Sequence, residues 1–377
     1  MDKIIYSEHG FLFICGRKKL QTCLAHRFLC GCYCIFIIIP LIIQFSSQCF
    51  ICFFETLILI WIQRWKQRRR RWWWRRRGMV KRRIFLSVDV GGTKTLMMLN
   101  RERKILAKKL YKTGKTEFLK NLKKNIRQFL EANEMNEKKI YAAGFALPGP
   151  FIIKNKLISI KSPNIENYRV IHIESALKRI FRNLNILNDA VCGAISEHEV
   201  GALKNANNAI YVTWSTGIGG GLIMDGKVRF GKEGNCGHIG HTIISDKKRK
   251  CGCGLYGDME AMSSGKSIEK MFDNKISAEK IFLKRSKGNK KAKKIIDTAV
   301  EYFSKGVFNG ITLLDLEIIC IGGSVFLKNE KVLLPKIIKF FKKHKNPQSD
   351  SIKIVKASLG EESSLFGAFY HTFKKNA

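Results

Sequence analysis

Three glycine-rich turns, each directly behind a short β-rich run, constrain this chain more than anything else in it. Residues 84–90 run into Gly91-Gly92-Thr93-Lys94. Ala209–Trp214 runs into Ser215-Thr216-Gly217-Ile218-Gly219-Gly220-Gly221, and Leu316–Ile321 into Gly322-Gly323-Ser324. Glycine lets backbone N–H groups approach phosphate oxygens, and Thr93 and Lys94 add donors. One Gly-Gly turn is equally well an ordinary hairpin. Three, each closing a strand in two similar halves, point to a phosphate-binding cleft. The third turn lies where a nucleotide base or ribose would approach the backbone.

The order of elements agrees. Leu96–Asn100 and Lys104–Leu110 read as strands that extend the first run into a meander. Helical spacing over Thr116–Ala132 follows, then a strand at Ile140–Ala146 ending in Leu147-Pro148-Gly149. A helix near Glu174–Arg182, a short strand at Asn185–Leu187 and a helix through Leu203 complete one half. The second half has the hairpin signal Asp225-Gly226 between Gly221–Met224 and Lys227–Phe230, helices over much of 260–313, and a helix at Pro335–Lys343. The fold class is therefore α/β, with two α/β domains flanking a cleft. Their expected extents are 79–205 and 206–377.

Residues 1–78 are a separate problem. Net charge is +39, of which this segment carries +11, and seven of the twelve cysteines precede residue 53. Residues 28–62 are mostly apolar, long enough for a membrane anchor, and the Arg/Trp-rich stretch 67–77 suits an interfacial flank. The preferred expectation is that translation begins at Met79, which precedes the first core strand closely. The five cysteines after residue 78 are an odd count with one close pair, which suits a reducing cytoplasm better than a disulfide framework, and a membrane anchor through 28–62 is the alternative location. The remaining +28 reads as lysine background, with no aromatic–basic interleaving to suggest nucleic acid. It would still draw in an anionic substrate.

Two clusters carry chemistry. Asn188-Asp189 stands at a strand-to-helix junction, where either residue would serve as an N-cap. Between two phosphate loops, the Asp189 carboxylate is better read as a base for a hydroxyl proton. His241, Cys251 and Cys253 supply three zinc ligands with a tight Cys-x-Cys knuckle, and Asp258 is the candidate fourth. Asp89, at the end of its strand, is placed to hold Mg²⁺ through water.

Taken together, Asp89-x-Gly91-Gly92-Thr93-Lys94, Leu147-Pro148-Gly149, Ser162-Pro163-Asn164, Leu187-Asn188-Asp189, residues 215–221, His238-Ile239-Gly240-His241 and Cys251-x-Cys253-Gly254 resemble the ROK family of sugar kinases and repressors, which has the actin-like ATPase (ribonuclease H-like) fold. The resemblance covers Met79 to about Phe373. It implies Asp189 as the catalytic base and sugar contacts from Gly149, Asn164, Asn188, His238, His241 and Glu260. It implies ATP contacts from Asp89, Gly91, Gly92, Thr93, Lys94, Thr216, Gly217, Gly219, Gly220, Gly322 and Gly323. ATP, Mg²⁺ and a structural Zn²⁺ are the expected cofactors, and a homodimer the expected assembly.

Two departures matter. Asp258 stands where the family usually has a third zinc cysteine. His238 stands where the family's glucokinases carry Glu, and His238-Ile239-Gly240-His241-Thr242 resembles the string of bacterial N-acetylmannosamine kinases. The expected activity is therefore ATP-dependent phosphorylation of N-acetylmannosamine at the 6-hydroxyl. Another hexose kinase of the family, such as a glucokinase, is the alternative. A sugar-responsive repressor is the second alternative, disfavoured by the retained Asp189 and the lack of a DNA-binding module.

Overall fold

The computed structural model describes residues 3–6, 12–15, 65, 83–114, 116–161, 165 and 169–376. The chain divides into two compact units, Met1–Arg77 and Gly78–Ala377. In the first, Lys3–Tyr6 pairs antiparallel with Leu12–Cys15. The expectations for residues 28–62 and for Asn164 lie outside the described residues. No described helix is long and apolar enough to cross a membrane.

The second unit holds two five-stranded sheets of one design. In the first sheet, β1 (Ile84–Val90), β2 (Lys94–Arg101) and β3 (Lys104–Lys112) form an antiparallel meander. β4 (Ile140–Leu147) and β7 (Leu184–Asn188) join parallel to β1, giving the order β3-β2-β1-β4-β7. In the second, β8 (Ala209–Trp214), β9 (Ile218–Met224) and β10 (Lys227–Arg229) are the meander. β11 (Ile318–Gly322) and β12 (Lys353–Lys356) are the parallel pair, in the order β10-β9-β8-β11-β12. Between β4 and β7 lies a small hairpin of β5 (Phe151–Lys154) and β6 (Leu157–Ile160).

Local sequence explains these elements. β1 is buried along almost its whole length, as a strand covered on both faces must be, so it reads as an apolar run and does not alternate. The edge strand β3 is mostly exposed and carries Lys104, Lys108, Lys109 and Lys112, a charge pattern that blunts an open edge. Helix α1 (Phe118–Glu131) turns Phe118, Leu122, Ile126, Phe129 and Leu130 inward onto the first sheet, at helical spacing.

The remaining helices are α2 (Ile173–Lys178), α3 (Asp189–Val200), α4 (Met259–Ser263), α5 (Gly265–Phe272), α6 (Ala278–Ser286), α7 (Lys290–Leu314), α8 (Ser324–Lys343), α9 (Pro347–Asp350) and α10 (Ser363–Asn376). The second sheet packs on α7 and α8 through a core in which the Trp214 and Phe303 rings stack at 4.0 Å. The Trp214 indole N–H donates to the Ser263 carbonyl at 2.9 Å, so this large ring is buried with its one polar atom satisfied.

The last helix returns to the first sheet: α10 packs on α3, β4 and β1. Buried Glu197 clasps this return. Its carboxylate accepts from the N–H groups of Ala202 (2.8 Å), Ser358 (3.0 Å) and Leu359 (2.9 Å), and from the Ser363 hydroxyl (3.1 Å). At the other end of α3, the Ser364 hydroxyl donates to the Asp189 carbonyl at 3.0 Å.

Candidate active site

Parallel pairing brings the chemistry to one sheet end. Asp89 on β1 is in register with Ala146 on β4, and Ala146 with Leu187 on β7, so Asn188 and Asp189 emerge beside Asp89. Asn188 caps α3: its Oδ1 accepts from the N–H groups of Ala190 (3.0 Å) and Val191 (3.3 Å). Asn188 is thus the cap, and Asp189 is the first residue of the helix. Burial pushes the Asp189 carboxyl up to about 6, against the pull of nearby backbone N–H groups, and the charge of Glu260 adds to the rise. Burial pushes Asp89 further, to about 8, and Asp189 adds to it. Two carboxylates thus share a water-poor corner that favours a proton or a cation.

Beside this corner, Gly149, Asn188 and His238 meet. A Cβ on Gly149 would stand 3.0 Å from His238 Cε1 and 3.1 Å from Asn188 Nδ2, so only glycine fits there without displacement. Burial drives the His238 pKa down to about 4, with the neighbouring His241 adding to the fall, so its imidazole is neutral near pH 7. The rings of His238 and His241 lie 6.0 Å apart, edge to face.

The zinc-type residues also converge. His241 Nδ1 lies 3.0 Å from Asp258 Oδ2 and 3.8 Å from Cys251 Sγ, and Cys253 Sγ lies 3.5 Å from Asp258 Oδ2. One ligand atom from each of the four residues lies within 4.8 Å of the others. Tetrahedral zinc with bonds of about 2.0–2.3 Å needs ligand atoms roughly 3.3–3.8 Å apart, so the set fits with little adjustment. The other oxygen of Asp258, Oδ1, accepts the Ala261 N–H at 2.7 Å and caps α4.

Glu260 joins this cluster to the second glycine loop. It accepts the Ile218 N–H at 2.8 Å, and Cys251 Sγ lies 3.5 Å from its other oxygen. The third turn closes on the same loop. Ser215 and Ser324 hydroxyls lie 2.9 Å apart, and Gly323 has φ 85° with the Trp214 backbone where a side chain would be. In the first loop, the Gly91 N–H bonds to the Lys94 carbonyl at 2.8 Å, leaving Thr93 and Lys94 exposed. A cavity of about 860 Å³ opens beside Thr216, Gly217 and Glu260. Sequence reasoning missed its other walls. Ser264 and Lys266 lie at the start of α5, Lys270 further along it, and Lys294 on α7. The only sequence sign of them was the Ser-Gly-Lys start of α5.

Residues 85–375 match the ROK family. The chain belongs to the ROK family. It is 28% identical over 308 residues to a glucokinase of Aeropyrum pernix, covering 75% of this chain and 95% of that relative. It is 32% identical over 249 residues to an N-acetylmannosamine kinase of Vibrio cholerae, covering 64% and 84%. Among solved structures it resembles the ROK hexokinase of Thermus thermophilus, with TM-score 0.63 and 26% identity over 78% of this chain and 99% of that one. The fold is the actin-like ATPase fold. Sugar kinase is the class these relatives share, and the individual sugar differs between them.

Proposed function

We propose that this ROK kinase transfers the γ-phosphoryl group of ATP to the 6-hydroxyl of N-acetylmannosamine. The feature that supports this sugar is the neutral His238 imidazole beside Gly149, an N–H donor that suits an acetamide carbonyl. The similarity to the Vibrio cholerae kinase supports it. Glucose phosphorylation is the second reading, favoured by the similarity to the Aeropyrum pernix enzyme.

Phosphoryl transfer asks a protein for placement and charge neutralisation more than covalent chemistry. Asn188, His241 and Glu260 hold the sugar hydroxyls, with Asn164 as a further contact. Asp189 takes the proton as the sugar oxygen attacks the γ-phosphorus and the bond to the β-phosphate oxygen breaks, releasing ADP. Gly91–Lys94 and Thr216–Gly220 donate N–H and hydroxyl groups to the phosphates, and the Gly322-Gly323 turn lies against the nucleoside. Asp89, a hard oxygen donor paired with a second carboxylate, suits Mg²⁺, which when bound neutralises phosphate charge. His241, Cys251, Cys253 and Asp258 would hold zinc as a structural tie for the loop that carries His238 and His241. Steady-state kinetics with ATP across glucose, mannose, N-acetylglucosamine and N-acetylmannosamine tests this. The highest kcat/KM should be for N-acetylmannosamine, and a preference for glucose would replace the first reading with the second.

A further inference from the structure

Gly149 and His238 come from different halves of the fold, and something must hold them together. The loop that leads from β10 to His238 has glycine at 231, 234 and 237, each at positive φ (70°, 76° and 83°). Its course is therefore set by contacts more than by its own stiffness. At its end, Gly237 lies against Gly220 of the second glycine loop, where a Cβ would stand 3.0 Å from the Gly220 carbonyl oxygen. In its middle a side chain makes the contact. Asn235 Oδ1 accepts the Phe151 N–H at 2.9 Å, and Asn235 Nδ2 donates to the Phe151 carbonyl at 3.0 Å.

Strand pairing explains why Phe151 offers both groups. It opens β5 and stands opposite Ile160 on β6. Ile160 gives its own N–H to the Ile171 carbonyl at 3.0 Å and accepts the Ile171 N–H at 2.9 Å. Opposed residues of an antiparallel pair exchange both hydrogen bonds or neither. Phe151 and Ile160 exchange neither, so the Phe151 N–H and carbonyl point together away from β6. Asn235 supplies the acceptor and donor that a further strand would bring, from one short planar amide. The Phe151 ring is buried in the core of the first half, which anchors what Asn235 grips.

We propose that Asn235 is a positioning residue for the sugar: by gripping Phe151, two residues beyond Gly149, it sets where His238 meets the bound sugar. The proposal rests on the reading of Gly149 and His238 as sugar contacts. The seat of Gly237 on Gly220 does not involve the Asn235 side chain, so the effect should fall on the sugar and spare ATP.

The test uses the full-length protein. Calorimetry with glucose, mannose, N-acetylglucosamine and N-acetylmannosamine picks the sugar that the wild type binds most tightly, and kinetics with ATP run alongside. Asn235→Ala should raise Kd and KM for that sugar at least ~5-fold, because two hydrogen bonds are lost. KM for ATP and the melting temperature should stay near wild type, since the half-buried loop admits water in place of the amide. Asn235→Asp keeps the acceptor and loses the donor. It should retain the slow hydrogen exchange of the Phe151 N–H that Asn235→Ala loses, and its sugar affinity should lie between the two. Unchanged sugar affinity in Asn235→Ala, an equal rise in KM for ATP, or a loss of stability with KM for the sugar unmoved would each overturn the proposal. A wild type that binds sugar without phosphorylating it would sink the kinase reading, and the calorimetry would still decide this one. A wild type that binds none of the four sugars would overturn both.

Discussion

Asp89 and Asp189 leave the same end of the first sheet from strands on either side of β4, and the charge of Asp189 raises the affinity of Asp89 for a proton. Asp189 stays the more acidic because the first turn of α3 lends it backbone N–H groups. A base lost from such a site costs ~10²–10⁴ in rate. Asp189→Asn should therefore reduce kcat by that factor while sugar binding, followed by calorimetry, changes little. In the wild type, log kcat/KM should rise with pH up to about 6 and then level off, because the base works only when deprotonated. A flat profile from pH 5 to 8 would remove Asp189 from that role.

The same pair sets the pH dependence of stability without metal. The folded Asp89 carboxyl titrates near 8 against 3.8 for an ordinary one, so between those values the folded state holds more protons than the unfolded. Stability must then fall as pH rises through that window. In chelator at pH 8, Asp89→Asn should melt at least ~3 °C above wild type, and at pH 4 the two should melt together. Thermal melts at both pH values check this.

Glu197 predicts a loss of a different kind. Truncation to Ala leaves three backbone N–H groups without a partner in a buried seam, at ~1–3 kcal/mol each, while the Ser363 hydroxyl keeps the Gly360 carbonyl at 2.9 Å. Glu197→Ala should lower the urea midpoint sharply. Glu197→Gln, which keeps one acceptor oxygen, should lie between it and wild type.

Much of this architecture is legible in the chain because the glycine turns follow apolar strands at fixed places. Ile84–Val90, Ala209–Trp214 and the Asp225-Gly226 hairpin declare themselves in the residues alone. What escaped had weak local signals. β12 is four residues long with lysine at both ends, and the hairpin at 151–160 is cut by Asn155-Lys156 at positive φ. α10 does show its face, as Phe366, Phe369, Tyr370 and Phe373, but nothing local says that this face returns to the first sheet. In the site, Asn188 and Asp189 were visible together, while the meeting of Gly149 with His238 depends on a contact across 89 residues. The lysines at 266, 270 and 294 merged into a lysine-rich background, and only the cavity separates them from it.

Asp258 divides its oxygens between a helix cap and the metal-type cluster, and the two roles can be separated. Serine is a good N-cap but no zinc ligand. Asp258→Ser should keep the α4 cap, lose the His241 ion pair and lose the zinc, expected at about one per chain by elemental analysis. Asp258→Cys should retain it. Wild-type protein free of zinc after purification without chelator would leave the knuckle as a hydrogen-bonded loop only.

His238 carries the sharpest consequence. Its neutral ring lies beside Gly149, where only a glycine leaves it room. An acetamide carbonyl is a stronger acceptor for an imidazole N–H than the hydroxyl that glucose presents at the corresponding carbon. A buried hydrogen bond weakened or lost in this way costs up to ~1–3 kcal/mol, or roughly 5- to 150-fold in kcat/KM. His238→Glu replaces that donor with an acceptor, which suits the hydroxyl and repels the carbonyl. The ratio of kcat/KM for N-acetylmannosamine over glucose should exceed one in the wild type and fall by that factor in the variant. If the ring only buttresses His241, both sugars should lose activity equally and the ratio should not move. Measuring both sugars with both proteins separates the outcomes, and an unmoved ratio would leave the choice of sugar to other walls of the pocket.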